Sequence, residues 1–250
     1  DVYFYNLGRR LGVDRIAQIA REFGFGETTG IDLAHEKPGL VPSEEWARTK
    51  RGARWYPSET ISVAIGQGPL LMTPMQVARA VSALVTGGKL PTPHLFFASQ
   101  DPKMGVRLRY LAQPRQSLAI DPALLAIVKN GMWAVVNEPG GTAFGSRVPG
   151  VEAGGKTGTV QVARRDAVLR EGVDRSLLTD HAWFTAFAPI DDPRIVVVVF
   201  VEHGGHGSSA AAPIARRLLA KYFGVDVAPR PGEPGFARAA SKIPGAEVAE

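Results

Sequence analysis

The sequence contains no cysteine, which removes disulfides, thiolate metal ligands and a cysteine nucleophile while leaving the redox compartment open. No apolar run approaches the roughly 20 residues that span a bilayer, and no stretch has the pattern of a secretory signal. The longest apolar run, Ile195 to Val201, is the length of a strand. Basic residues exceed acidic ones only 29 to 24. The resulting net charge of +5 suits anionic surroundings. Apart from the KRGAR segment at Lys50 to Arg54, however, no basic stripe interleaves with aromatics, and no nucleic-acid surface is expected. The five histidines are scattered. His203 and His206 stand three apart in EHGGHG, where the intervening glycines favour a turn over a metal pair. No metal and no cofactor are expected, and no internal repeat is present.

With 45% hydrophobic and 21% charged residues, the 250-residue chain can bury a full core. Asp1-Val2-Tyr3-Phe4-Tyr5 opens in an apolar run without an initiator methionine. A folded element's interior looks like this, and truncation at the N-terminus is the expectation. Leu11, Ile16, Ile19, Ala20 and Phe23 recur near helical spacing, with Asp14 as start signal and Gly24 and Gly26 as stop. FGFGETTGIDL then reads as turns around Thr28-Thr29-Gly30. A Pro-containing loop runs on to about Ser58, with Trp46, Trp55 and Tyr56 as aromatic anchors; loops of that length usually have a job.

Thr73 and Pro74 suit the N-cap and first position of a helix whose apolar face is Met75, Ala78, Val81 and Val85, ended by Gly87-Gly88. Pro91 to Gln116 reads as strand and hairpin. Asp121 and Pro122 open another helix, through about Val136, with Leu124, Ile127, Val128, Met132 and Val135 turned inward. The C-terminal half reads as three consecutive strands around Val160, Trp183 to Phe187 and Ile195 to Val201, the last buried on both faces. Ser208 or Ser209 caps a final helix through Tyr222. Its inward residues are Ile214, Leu218 and Leu219, and Arg216, Arg217 and Lys221 suit its dipole near the end. The Pro, Gly and Ala-rich stretch 227–250 reads as a disordered tail.

The segment from Gly150 to Thr159 admits two incompatible active sites. GVEAGGKT fits the phosphate-loop pattern G-x-x-x-x-G-K-[ST], whereas KTGT from Lys156 fits the K-T-G element of penicillin-interacting acyl transferases. A phosphate loop follows a buried strand and runs into a helix. Here GTAFGSRVPG precedes it and Gly158, Thr159, Val160 and Val162 follow, a poor start for a helix. In the other reading Lys156 attracts a carboxylate, the Thr157 and Thr159 hydroxyls hydrogen-bond it, Gly158 admits a substrate backbone, and the Thr159 amide aims at an oxyanion. Taken alone, KTGT also fits an ordinary strand edge with a snorkelling lysine.

Four segments taken together decide it. FGFGETTGIDL at Phe23 to Leu33, IGQGPLLMTPMQVARAVSALVTGG at Ile65 to Gly88, GKTGTVQ at Gly155 to Gln161 and HAWFTAFAP at His181 to Pro189 resemble, in this order, the transpeptidase domain of class B penicillin-binding proteins. The match runs to about Phe223, and DVYFYNLGRRLGVDRI further resembles the penicillin-binding protein 2 branch, the D,D-transpeptidases of wall elongation. The resemblance implies an α+β fold, an antiparallel sheet flanked by helices, here incomplete at the N-terminus. Residues 1–226 would be the C-terminal part of that domain.

The family carries its acylated serine and partner lysine in an S-x-x-K element, and no S-x-x-K occurs in these 250 residues. The nucleophile is expected upstream, together with a membrane anchor, and Asp1 would be the last residue of an S-x-D element. The chain by itself would then be inactive. For the intact protein the resemblance implies a peptidoglycan D,D-transpeptidase. Its serine attacks the penultimate D-Ala carbonyl of a stem peptide ending in D-Ala-D-Ala, the terminal D-Ala leaves, and an amine on a neighbouring stem resolves the acyl-enzyme. β-Lactam antibiotics would act as covalent inhibitors, and a glycan polymerase and other wall-elongation proteins would be partners, at the periplasmic face of the bacterial inner membrane.

By the same resemblance Lys156, Thr157 and Thr159 would bind the donor carboxylate. Gly158 would keep the strand open, and Asp1 would stand opposite them. A β-lactam sensor domain, which acylates once and signals, is the non-enzymatic alternative. A class A β-lactamase would need an E-x-x-L-N element after its S-D-N, which the chain does not have.

Overall fold

The structure, a computed structural model, describes residues 1–103, 107–109, 116–162 and 178–228. Two compact units divide within a helix, the first ending at Val128 and the second beginning at Lys129. Among the described residues no helix is long and apolar enough to cross a membrane. The 227–250 stretch lies almost wholly outside the described residues.

In the first unit the N-terminal run is helical: α1 spans Val2–Leu11 and α2 spans Val13–Glu22, separated by Gly12 at φ 77°. Asp14 lies in the first turn of α2 and Gly12 occupies its cap position. The Asp14 carboxylate instead accepts the Glu44 amide at 2.9 Å, pinning the long loop. That loop contains α3 (Glu44–Trp46), a π-helical turn (Ala47–Arg51) and α4 (Pro57–Val63). Trp55 is an anchor as expected, packing with Val13, Ala47 and Val63 and donating its indole N–H to the Thr60 hydroxyl at 2.9 Å. Trp46 packs partly buried against the same cluster. Tyr56 is no anchor: it is 52% exposed, because it sits at the N-cap of α4 with its amide bound to Glu59 at 2.8 Å.

The turns around Thr28-Thr29-Gly30 are held by one carboxylate. Glu36 accepts the Thr29 amide at 2.8 Å, the Thr29 hydroxyl at 2.5 Å and the Gly30 amide at 3.1 Å. Thr73 and Pro74 do open α5 (Pro74–Val85), where Thr73 and Gln76 form a reciprocal capping box. Its buried face is Gln76, Ala80, Ala83 and Val85, so of the predicted Met75, Ala78, Val81 and Val85 only Val85 is buried. Small side chains let the helix approach its neighbours, and Gln76 is needed inside. Short antiparallel pairs follow: β1 (Lys89–Leu90) with β4 (Gln116–Ser117), and β2 (Ala98–Gln100) with β3 (Arg107–Arg109).

Asp121 caps α6 (Pro122–Asn137) by accepting the Ala123 amide at 2.8 Å. Of the residues predicted inward, Met132 is buried and Leu124, Ile127 and Val128 are exposed. The helix is apolar on several faces, so periodicity could not choose among them; Leu125 and Val136 are the residues buried alongside Met132.

Among its described residues the second unit has three antiparallel strands in the order β5 (Gly154–Val160), β6 (His181–Ala188), β7 (Ile195–Val201). Phe184, Ala186, Val197 and Val199 on one face pack against Ala211, Ala212, Ala215 and Leu219. β7 is not buried on both faces as expected: Val197 and Val199 are buried while Phe200 is 39% exposed, so its branched run reflects strand propensity as much as burial. A π-helical turn (Gly207–Ala211) leads into α7 (Ala212–Tyr222). Ala211, not a serine, precedes α7, and Ser208 and Ser209 lie within the turn. Leu219 is inward, whereas Leu218 is 43% exposed. Arg216 is buried, donating to the Arg147 carbonyl at 3.1 Å and the Ala228 carbonyl at 3.2 Å, so packing and not only the helix dipole decides its place.

Candidate active site

The segment GGKTGTV forms β5 throughout, which removes the phosphate-loop reading: Lys156 and Thr157 lie in mid-strand, and Gly158 to Val160 continue the strand where a phosphate loop would open a helix. β5 pairs Lys156 with Thr185, Thr157 with Phe184, Gly158 with Trp183 and Thr159 with Ala182. Directly paired residues share a face and successive ones alternate. Thr157 and Thr159 therefore lie on the side of the buried Phe184 and Ala182, and Lys156 and Gly158 lie on the side of Thr185 and Trp183. Among the described residues β5 has a strand partner on one side only.

Close packing sets the strand's place. A β-carbon on Gly154 would stand 2.6 Å from the Phe187 ring, and one on Gly155 would stand 2.7 Å from the Phe184 ring. The aromatic side chains of β6 thus occupy the space that side chains on β5 would need. Gly158 has a packing reason of its own, since a β-carbon there would stand 3.1 Å from that of Trp183.

Lys156 is exposed as a residue, yet its Nζ turns back along the strand and donates to the Thr157 carbonyl at 2.6 Å. Burial around the amine withholds water from it and lowers its pKa below that of an ordinary lysine. The Thr157 hydroxyl lies 3.1 Å from the Thr142 hydroxyl. Thr142 is a residue that sequence reasoning missed, because a single hydroxyl in a Gly-rich turn carries no periodic or motif signal. Lys156, Thr157, Gly158 and Thr159 thus come together on one strand, while Asp1 belongs to the first unit. There it is exposed and precedes α1 without a side-chain cap, its carbonyl accepting the Tyr5 amide at 3.0 Å. Chemically, β5 carries two hydroxyls on one face and a cation on the other, a set that suits an anionic oxygen ligand lying along the strand's open edge.

His203, expected in a turn, follows β7 at φ 51°. Its ring nitrogen Nδ1 lies 3.0 Å from the Thr179 carbonyl and its amide donates to His181 at 3.0 Å.

The family model for the penicillin binding protein transpeptidase domain matches residues 1–220. The peptidoglycan D,D-transpeptidase MrdA of Haemophilus influenzae is 39% identical over 232 residues, which are 89% of this chain and 35% of that protein. Among solved structures, the complex between penicillin-binding protein PBP2 and MreC from Helicobacter pylori superposes with a TM-score of 0.73 at 31% identity, over 90% of this chain and 38% of that one. A peptidoglycan synthase complex that coordinates polymerization and crosslinking matches with a TM-score of 0.69 at 37% identity, over 86% of this chain and 34% of that one. The chain spans about a third of the length of the curated relatives it matches. A strand reading GGKTGTV at the edge of an antiparallel sheet, and a family match over nearly nine-tenths of the sequence, place the chain in the penicillin-binding protein transpeptidase domain family, in its PBP2 (MrdA) branch.

Proposed function

We propose that the protein containing this chain is a peptidoglycan D,D-transpeptidase, which cross-links the cell wall by serine acyl transfer from stem peptides ending in D-Ala-D-Ala. The observation that carries this is the placement of Lys156, Thr157 and Thr159 on one edge strand, in a chain 39% identical to a protein of that activity. Lys156 supplies the positive charge for the donor's terminal carboxylate, and the Thr157 and Thr159 hydroxyls hydrogen-bond it. The Thr159 amide donates to the oxyanion of the tetrahedral intermediate. Gly158 leaves room for the substrate backbone. The acylated serine belongs to the family's S-x-x-K element, which does not occur in this sequence. β-Lactams imitate the donor and acylate the same serine.

The relatives support a setting as well. PBP2 of H. pylori forms a complex with MreC, and another similar chain belongs to a peptidoglycan synthase complex. Docking to such elongation proteins and to a glycan polymerase, at the periplasmic face of the inner membrane, is the corresponding proposal for this protein.

The test is penicillin labelling of the full-length protein, with release of D-Ala measured on a stem peptide ending in D-Ala-D-Ala. Label together with turnover is expected. Label without turnover supports a β-lactam sensor instead, and the absence of both overturns the assignment.

A further inference from the structure

We propose that Thr142 is a positioning residue for the Thr157 hydroxyl, holding it so that its one proton is presented to the carboxylate of the donor peptide or β-lactam. The inference rests on the carboxylate-binding role given to Thr157 above.

A threonine hydroxyl has one proton and two lone pairs. Between Thr142 and Thr157, 3.1 Å apart, one hydroxyl donates and the other accepts. If Thr157 donated to Thr142, only lone pairs would remain to face an anion. If Thr142 donates, Thr157 keeps its proton for the ligand. A carboxylate accepts and cannot donate, so its arrival selects the order Thr142 to Thr157 to carboxylate, in which each donor polarises the next. The Lys156 ammonium on the Thr157 carbonyl adds positive charge at the same residue.

The backbone around Thr142 is fixed by contacts within the second unit. A β-carbon on Gly141 would stand 2.5 Å from the Ala134 carbonyl oxygen and collide with that of Val135, so only glycine lets the turn lie against the end of α6. The next residue, Ala143, is buried and donates its amide to the Val135 carbonyl at 3.0 Å. Asn137, the last residue of α6, donates through Nδ2 to the Trp133 carbonyl at 2.9 Å and to the Ala153 carbonyl at 2.8 Å. Ala153 immediately precedes β5. Helix end, turn and strand are therefore joined on both sides of the hydroxyl pair, while Thr142 itself is exposed. Its side chain does no core packing that would account for the geometry.

The experiment compares Thr142→Val, Thr142→Ala and Thr142→Ser in the full-length protein, with Thr157→Val and the Thr142→Val/Thr157→Val double variant. The readout is the second-order rate of acylation by a fluorescent penicillin with a free carboxylate and by its methyl ester, beside Tm. Loss of one hydrogen bond lowers the rate with the free carboxylate roughly three- to tenfold in Val and Ala, and Ser restores it. The ester's rate does not change. In the Thr157→Val background the Thr142 substitution has no further effect. A wild-type rate in Val and Ala, or an equal loss with the ester or in the Thr157→Val background, overturns the inference while the transpeptidase reading stands. A wild-type protein that takes no label overturns that reading and the inference with it.

Discussion

Gly207 packs so tightly on Gly158 that a β-carbon on Gly207 would stand 2.7 Å from the Gly158 carbonyl oxygen and 3.0 Å from its amide nitrogen, and would collide with the Trp183 carbonyl as well. All three obstacles are backbone atoms of the paired strands β5 and β6, and none can turn aside as a side chain would. Gly207→Ala is therefore expected to push the π-helical turn off the sheet. The cost is about 1–3 kcal/mol of stability, the range for overpacking a closed site. Thermal unfolding of the full-length protein measures it, and a penicillin-acylation rate falling more steeply than Tm would show that β5 itself had moved. An unchanged Tm would show that the turn yields freely.

Lys156 gives the site its pH dependence. Burial depresses its pKa below the ordinary lysine value of 10.5, so its charge is lost at a lower pH than that of an exposed lysine. Acylation that relies on the ammonium should fall on the alkaline side before pH 10.5 is reached. Stability runs the other way. Between the folded and unfolded pKa the unfolded chain binds more protons, so the desolvation penalty, full at lower pH, is relieved as pH rises through the folded value. A pH profile of acylation for wild type and Lys156→Gln checks this. An alkaline limb that survives in Lys156→Gln belongs to another group.

Gln76 joins three stretches of backbone in the first unit. It is wholly buried, accepts the Thr73 amide at 2.8 Å, and donates to the Glu27 and Pro38 carbonyls, each at 2.7 Å. Gln76→Leu keeps most of the volume but leaves those groups without partners. A loss of about 2–4 kcal/mol follows from burying them unsatisfied. Denaturant unfolding of the variant measures this, and a loss below about 1 kcal/mol would mean that water replaces the amide.

What was legible in the sequence, and what was not, divides along physical lines. Glycine and branched residues after the lysine put KTGT on a strand, and β5 bears that out. Thr73 and Pro74 named the start of α5 for the same local reason. Of the residues predicted inward on α5 and α6 only Val85 and Met132 are buried, since alanine and glutamine at buried positions give no hydrophobic signal while exposed Ile127 and Leu124 give a strong one. Gln76 could have been read as half of a capping box from its spacing to Thr73. Its bonds to Glu27 and Pro38, 49 and 38 residues away, have no local signature. Thr142 is the same case at the site, because its partner is set by where the end of α6 meets β5 and not by any pattern around it.

Glu36 extends the pH argument to the first unit. Desolvation raises its pKa, but the hydrogen bonds from the Thr29 hydroxyl, the Thr29 amide and the Gly30 amide outweigh it. The net pKa is lowered from the ordinary glutamate value of 4.5. A carboxylate with a depressed folded pKa contributes stability above its unfolded value and loses it as pH falls through the folded one. Stability should therefore decline below about pH 4.5, and Glu36→Gln should be destabilised at pH 7 while losing less of its remaining stability on acidification. Thr29→Val removes the hydroxyl donor but leaves both amides, so it should fall between the two. Urea midpoints measured from pH 7 down to pH 3 distinguish the three proteins. Parallel acid declines in wild type and Glu36→Gln would show that other carboxylates govern acid stability, and that Glu36 orders the turn without setting its pH response.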